Sequence, residues 1–292
     1  MEKVFDSKTL TSILSESSLK DYSNIRIGGK AKYLFIAKRV SDLSLIITQA
    51  NKANLKILPV GGASNILFGN VGDRVLILDR DIPQNIAFKR DEIVVSSNYN
   101  INAFIDEMMK HDLGGLEFLS GIPAHIGGAV HMNAGAFGKS ISSYLEWIEI
   151  ISIKGKREII QKEELHFDYR KTSINGFIIN AAFKLESKPE KDILTEVQNI
   201  ISTRKVRHPY DYPSLGSTFK NPAGYFAGKL IEECELKGTR IGDAEVSKKH
   251  ANFIINRGNA VFDDMIKLIE LIKKEVFEKK GIMLELEIKV IN

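Results

Sequence analysis

A single cysteine, Cys234, stands in this chain of 292 residues, so no disulfide can form within it and the composition fits a reducing compartment. No apolar run approaches the ~20 residues needed to span a bilayer, and the opening stretch MEKVFDSKTL has no apolar signal core. Blocks of like charge are also missing. The 41 Lys and Arg against 37 Asp and Glu leave a net charge of only +4, spread along the chain, which makes no nucleic-acid surface but favours small anions. There is no internal repeat, no low-complexity tract and no His, Cys and carboxylate spacing of a metal site. The expectation is a cytoplasmic, monomeric protein with no nucleic-acid, membrane or metal partner.

What is present is ordinary globular composition, 43% hydrophobic and 27% charged, in a chain long enough for about two cores. From residue 41 helical and strand patterns alternate. SDLSLIITQANKAN carries a cap residue, Ser41, an acid in its first turn and apolar Leu43, Ile46 and Ile47, which predicts a helix. KILPV (56–60), RVLIL (74–78), NIAFKR (85–90) and EIVVSS (92–97) read as strands, and INAFIDEMMKHD (101–112) returns to helical spacing. The polar, Pro-containing ESKPEKD (186–192) reads as a linker. Beyond it come a helix through DILTEVQNIISTRK, a helix in AGYFAGKLIEECE, a strand NFIIN (252–256), an amphipathic helix (262–280) and a final strand LELEIKV. The pattern is α+β, with domains expected over 22–187 and 188–292.

Three stretches carry chemistry. GGASN (61–65) follows a strand directly; its glycines allow a tight turn with unshielded N–H groups, and Ser64 and Asn65 add donors, which suits a pyrophosphate as well as a plain turn. It is neither a G-x-G-x-x-G fingerprint nor a P-loop. GLEFLSGIPAHIGGAVHMNAGAFG (115–138) interrupts apolar residues with Gly121, Gly127, Gly128, Gly135 and Gly138, as backbone passing close to a flat, bulky group requires, with Ser120 and Asn133 as polar contacts. GSTFKNP (216–222) presents two hydroxyls, an ammonium and an amide in what reads as a loop, either a solvated turn or a reactive one. Upstream, Arg204, Lys205, Arg207 and His208 form a positive cluster that is also an ordinary basic last turn of a helix. Strand alternation puts Glu285 and Glu287 on one face and does not choose between them. Cys234 falls in an apolar helical pattern and reads as core.

With NIRIGGKAKYL (24–34), the YR pair at 169–170, AGKLIEECELKG (227–238) and VSKKHANFI (246–254), these stretches stand in an order that resembles the UDP-N-acetylenolpyruvoylglucosamine reductase family. The cofactor domain of that family belongs to the FAD-binding superfamily of vanillyl-alcohol oxidase and p-cresol methylhydroxylase. The short spacing from Arg170 to Ser217 is similar to the family branch without a substrate-covering tyrosine loop. This chain departs from the common pattern at Ala124-His125, where Gly-Thr is usual, and at His131, Asn24 and Asp243.

The resemblance implies a two-part FAD-binding domain of that superfamily's type followed by a smaller C-terminal α+β substrate domain. It implies a dissociable FAD, NADPH as reductant, and reduction of the enolpyruvyl group of a UDP-sugar to UDP-N-acetylmuramate for peptidoglycan. FAD is then expected at Arg26, Gly61, Gly62, Ala63, Ser64, Asn65, Ser120, Gly121, Ile122, Pro123, Gly127, Gly128, Ala129, Asn133 and Gly135. Ser217 is implied as the proton donor to C2, Arg170 as the cation near the carboxylate and Glu287, from the motif L-E-x-E, as the catalytic glutamate. Tyr169, Arg207, Lys220, Asn221 and Asn252 are expected on substrate, with Arg207 on a phosphate. Two other classes compete: another flavin oxidoreductase of the superfamily acting on an alcohol or hydroxy acid, and a nucleotide-binding module without turnover. The first leaves GSTFKNP and VSKKHANFI unexplained, the second Arg170, Ser217 and Glu287.

Overall fold

Val75–Leu78 is apolar at all four positions and buried at all four, as a strand covered on both faces must be. In the computed structural model, which describes Phe5, Ile13, Leu14 and residues 16–89 and 92–292, it lies between two parallel neighbours, Tyr33–Ile36 and Ile57–Val60. The rest of the opening decapeptide, and Arg90 of the NIAFKR strand candidate, lie outside the described residues. Helix α1 (Val40–Lys52) covers this sheet through Leu43, Ile46 and Ile47. Its first turn is held by Asp42, whose carboxylate accepts the Lys38 and Arg39 N–H groups, rather than by Ser41.

The chain divides into two compact units. The first comprises Lys32–Gly62 and Asp73–Ser202 with the described residues up to Glu16. Besides this sheet, whose edge strand Ile13–Leu14 runs antiparallel to Tyr33–Ile36, it holds a five-stranded antiparallel sheet in the order Arg157–Gln161, Leu145–Ser152, Gly176–Phe183, Ile93–Ser96 and Ile86–Phe88. Helices α2 (Ile101–Met109) and α3 (Ile126–His131) pack on it, joining Phe104, Ile126 and Val130 to Val95, Ile148 and Phe183 in one core. The stretch 186–192 is anchored rather than a loose linker. Glu186–Ser187 pairs with Leu113–Gly114, Lys188 Nζ reaches the buried Glu117 at 3.1 Å, and Asp112 accepts the Glu190 N–H at the start of helix α4 (Glu190–Arg207). Charge in this segment is consumed by specific partners, a feature that composition cannot reveal.

The second unit comprises Ser17–Ala31, Ala63–Gly72 and Thr203–Asn292. Its four-stranded sheet runs Ser214–Ser217, Phe253–Asn256, Ala244–Val246, Arg240–Ile241, and helices α5 (Ala227–Glu233) and α6 (Phe262–Lys280) bury Leu230, Ile231, Leu268 and Ile272 with Ile25, Ile27 and Leu67. Cys234 belongs to this core. The terminal strand is Lys289–Ile291, parallel to Ile66–Phe68, and LELE lies outside it. Glu285 and Glu287 therefore do not share a strand face: Glu285 is exposed, while Glu287 is half-buried in the bend after an isolated bridge between Phe219 and Leu286.

Candidate active site

Where Ile57–Val60 ends, Gly61 faces open space and the ring of His125 stands 3.4 Å from the place a Gly62 side chain would begin. None of the backbone N–H groups from Gly61 to Asn65 donates to an acceptor among the described residues. Ala63 adopts φ 49°, the left-handed conformation that recurs in anion-binding backbone nests. A run of undonated amides is the chemical requirement of an anion seat.

The longer glycine-rich stretch is clamped from beneath. Gly121 donates its N–H to Asn102 Oδ1 at 2.6 Å, and Asn102 Nδ2 donates to the Ile122 carbonyl at 2.9 Å. Gly127 donates to the Ser97 carbonyl at 2.8 Å, and a side chain there would begin 2.8 Å from Ser97 Cβ, so only glycine permits the approach. Gly128, one residue on, faces open space, whereas Ala129 is buried in the core. Ser120 Oγ, His125 Nδ1 and Asn133 Oδ1 are all buried without a hydrogen-bond partner. Native interiors leave few such atoms unless a ligand supplies the partner. Asp79, 3% exposed, is of the same kind: Ser97 Oγ donates to its Oδ2 at 2.8 Å, its Oδ1 has no partner, and burial pushes its pKa up to about 6 against the opposing bond from Ser97. Orphaned polar atoms beside open-faced glycines fit FAD. Asn102, His125 and Asp79 were not among the cofactor residues expected from sequence; the local signals were the departure from the family pattern at Ala124-His125 and an asparagine in the first turn of a largely apolar helix.

Tyr169 and Arg170 form the two-residue tip between Phe167–Asp168 and Lys171–Thr172, with Arg170 at φ 57°. Three bonds tie this hairpin to the glycine-rich stretch. Arg170 Nη2 donates to the Gly135 carbonyl at 2.8 Å, Asn133 Nδ2 to the Asp168 carbonyl at 3.1 Å and Thr172 Oγ1 to the His131 carbonyl at 2.9 Å. The guanidinium also lies 5.0 Å from the centre of the Tyr169 ring.

In the second unit, GSTFKNP is less of a loop than its composition indicates. Gly216, at φ 77°, and Ser217 end the strand Ser214–Ser217 at a register shift, and Thr218 and Phe219 are buried. Asn252, 4% exposed, organises the segment: its Oδ1 accepts the Phe219 N–H at 3.0 Å, its Nδ2 donates to the Phe219 carbonyl at 2.8 Å and its carbonyl accepts the Thr218 N–H. The Thr218 carbonyl in turn accepts the Glu287 N–H at 2.8 Å, and the Glu287 carbonyl accepts from Asn65 Nδ2 at 3.2 Å. Ser217, Glu287 and Asn65 are thus joined through two backbone links. Lys220 Nζ lies 3.3 Å from Glu285, and Asn221 Oδ1 accepts the Ala227 N–H at the first residue of α5. Arg26 is exposed in a left-handed turn, flanked by Gly28 and Gly29, which pack directly on the backbone of Leu19 and Gly69.

Arg207 is exposed in the last turn of α4. Next to it, His208 packs against Phe253 (4.9 Å between ring centres), Tyr210 and His250. Burial pushes the pKa of His208 down to about 4, helped by the charges of Arg204, His250, Arg207 and Lys249. A depressed histidine binds its proton more readily unfolded than folded, so its contribution to stability is complete above the ordinary value of 6.5 and is lost as pH falls towards 4. The melting temperature of the protein should therefore decline between pH 6.5 and 4. In His208→Gln the decline should be shallower, which thermal scans across that range would check.

No helix among the described residues is long and apolar enough to cross a membrane. Comparison with known proteins gives two matching family models, the FAD binding domain over residues 31–160 and the UDP-N-acetylenolpyruvoylglucosamine reductase C-terminal domain over residues 208–291. A UDP-N-acetylenolpyruvoylglucosamine reductase of Fusobacterium nucleatum is 39% identical over 284 residues, covering 96% of this chain and 99% of the relative. That of Lachnoclostridium phytofermentans is 36% identical over 282 residues, covering 94% and 91%. The crystal structure of the enzyme of that name from Thermus caldophilus matches with a TM-score of 0.80 at 32% identity, covering 96% of this chain and all of that one. An FAD-binding α+β unit followed by a C-terminal domain of this kind, matched over nearly the full length, has one consequence: the chain belongs to the UDP-N-acetylenolpyruvoylglucosamine reductase family.

Proposed function

We propose that this protein reduces UDP-N-acetylglucosamine enolpyruvate to UDP-N-acetylmuramate with NADPH as reductant and FAD as mediator, in peptidoglycan precursor synthesis. Family membership supports the reaction, and the observation that carries it to residues is the Ser217–Thr218–Glu287 arrangement, in which a half-buried hydroxyl and a half-buried carboxylate are held by one buried backbone segment. FAD, once bound and reduced, supplies the hydride that C3 of the enolpyruvyl group accepts. The chain must do the rest. Ser217 delivers the proton to C2, and its hydroxyl, weakly acidic when free, is matched to the negative charge developing there. Arg170, oriented by the Gly135 carbonyl and the Tyr169 ring, holds the substrate carboxylate as charge spreads into it. Glu287 orients the enol, with its backbone held by Asn65 and Thr218. Tyr169, Lys220 and Asn221 contact substrate.

The test begins with colour. The purified protein should be yellow, bleach with NADPH, and regain its colour without oxygen only when the enolpyruvyl substrate is added. Acid precipitation should leave the flavin in the supernatant, because the reading calls for non-covalent FAD. A colourless protein, or one whose flavin is bleached by simple alcohols or hydroxy acids and is not reoxidised by the enolpyruvyl substrate, would overturn the assignment.

Arg207 is assigned to a phosphate of the UDP group. Such a contact is equally strong in the ground and transition states, so Arg207→Ala should raise KM about tenfold or more with little change in kcat. Steady-state kinetics with varied UDP-substrate checks this; a fall in kcat at constant KM contradicts it.

A further inference from the structure

His125 is the N-terminal flanking residue of α3, and its backbone forms an isolated antiparallel bridge with Asn100. That bridge sets the ring against the Gly61–Gly62 turn, where any side chain on Gly62 would begin 3.4 Å from imidazole atoms. Nδ1 is buried and has no partner in the chain. The amides of Gly61 and Gly62 beside it donate to nothing among the described residues. A buried ring atom without a partner and two amides without acceptors, placed together at a turn whose Gly61 faces open space, ask for an acceptor that carries several oxygens.

We propose that His125, whose ring stands against the Gly61–Gly62 turn expected to receive the cofactor's diphosphate, is a proton-linked ligand of that anion. The inference rests on FAD being the cofactor. An imidazole can meet a diphosphate as a neutral donor or as a cation, and only the cation makes the stronger, charge-assisted bond. Without ligand the neutral ring is favoured: burial lowers its pKa and the Arg80 charge adds to the effect. An anion arriving next to it reverses the balance, because a nearby negative charge favours the protonated ring. Binding of the diphosphate therefore takes up a proton at His125, and by linkage affinity must rise as pH falls through the range between the free and bound values. Two other charged groups bear on this place. Arg80 is permanently cationic and contributes no pH dependence. Asp79, which feels Arg80 as well, is a buried carboxyl with a pKa of about 6, so its titration is told apart from that of His125 by substitution.

The experiment is FAD binding to the flavin-stripped protein, followed by flavin fluorescence from pH 8 to 5.5. No turnover is involved. Wild-type affinity should strengthen about tenfold over that range, a factor within the reach of one charge-assisted bond. His125→Gln, which keeps a donor and cannot titrate there, should bind FAD with a nearly flat profile. His125→Thr should be flat as well, and Asp79→Asn should keep the wild-type slope. Matching far-ultraviolet circular dichroism and melting temperatures of the stripped proteins would show that all are folded. A slope unchanged in both His125 variants would overturn the proposal, as would a slope lost in Asp79→Asn and kept in His125→Gln, which would assign the proton to Asp79. A wild-type protein that bound no FAD at any pH would instead overturn the proposed cofactor.

Discussion

Ser217→Ala should reoxidise with the enolpyruvyl substrate about 10²-fold or more slower than wild type, the usual scale for loss of a general acid, while its flavin is bleached by NADPH at nearly the wild-type rate. The two half-reactions separate because the hydroxyl has nothing to protonate until the enolpyruvyl group is present. Ser217 sits at the end of a strand, half-buried, with its neighbours Thr218 and Phe219 fixed in the core, so loss of one oxygen should leave the backbone in place. Stopped-flow absorbance under anaerobic conditions reads both rates. Turnover in D₂O should label C2 of the product, since a hydroxyl exchanges with solvent. Should the alanine variant reoxidise at the wild-type rate, Ser217 would be a holding residue only, and Glu287, linked to it through the Thr218 carbonyl, would be the next donor to examine.

Asn252→Ala is expected to act through the same segment by a different route. From sequence alone Asn252 was a candidate substrate contact, yet its amide oxygen and nitrogen are both engaged by the Phe219 backbone in a site 4% exposed to solvent. Truncation would strand a buried N–H and a buried carbonyl, a cost on the order of 2–4 kcal/mol for the pair. Freed from that clamp, the 217–219 backbone would no longer hold Ser217 and the Glu287 bend in register. The variant should therefore melt several degrees lower and lose kcat along with the Ser217-dependent half-reaction. Asn252→Asp keeps the acceptor for the Phe219 N–H and loses the donor for its carbonyl, so it should also be impaired, and more severely as the carboxylate ionises. Urea titration and half-reaction kinetics check both. A raised KM with unaltered stability would instead mark Asn252 as a substrate contact.

Local pattern was sufficient for much of the framework. The apolar spacing in 41–54, 101–112 and 262–280 predicts α1, α2 and α6 within a few residues, because one buried helix face imposes a period that survives in a linear sequence. KILPV, RVLIL and EIVVSS are strands for the corresponding reason. Ordered motifs led to the family and hence to FAD, NADPH and the UDP-sugar, since glycines that permit a close backbone approach cannot be replaced without a clash, as Gly127 against Ser97 illustrates. Pairing across long separations was not legible. Composition made GSTFKNP a polar loop, whereas Phe219 is core and Asn252, 33 positions away, supplies its hydrogen bonds. Alternation placed Glu285 and Glu287 together, whereas the bridge of Leu286 to Phe219 and the bonds of Glu287 to Thr218 and Asn65 bend the chain and separate them. The His125 ring beside Gly62, Asn102 beneath Gly121 and the hairpin tip that joins Arg170 to Gly135 depend equally on tertiary structure. Sequence by itself determined which elements form and what chemistry the chain carries, because helix period, strand alternation and glycine clearance are local constraints. Only the tertiary structure decided which polar atoms are buried with a partner and which without one, because that depends on groups brought together from distant parts of the chain.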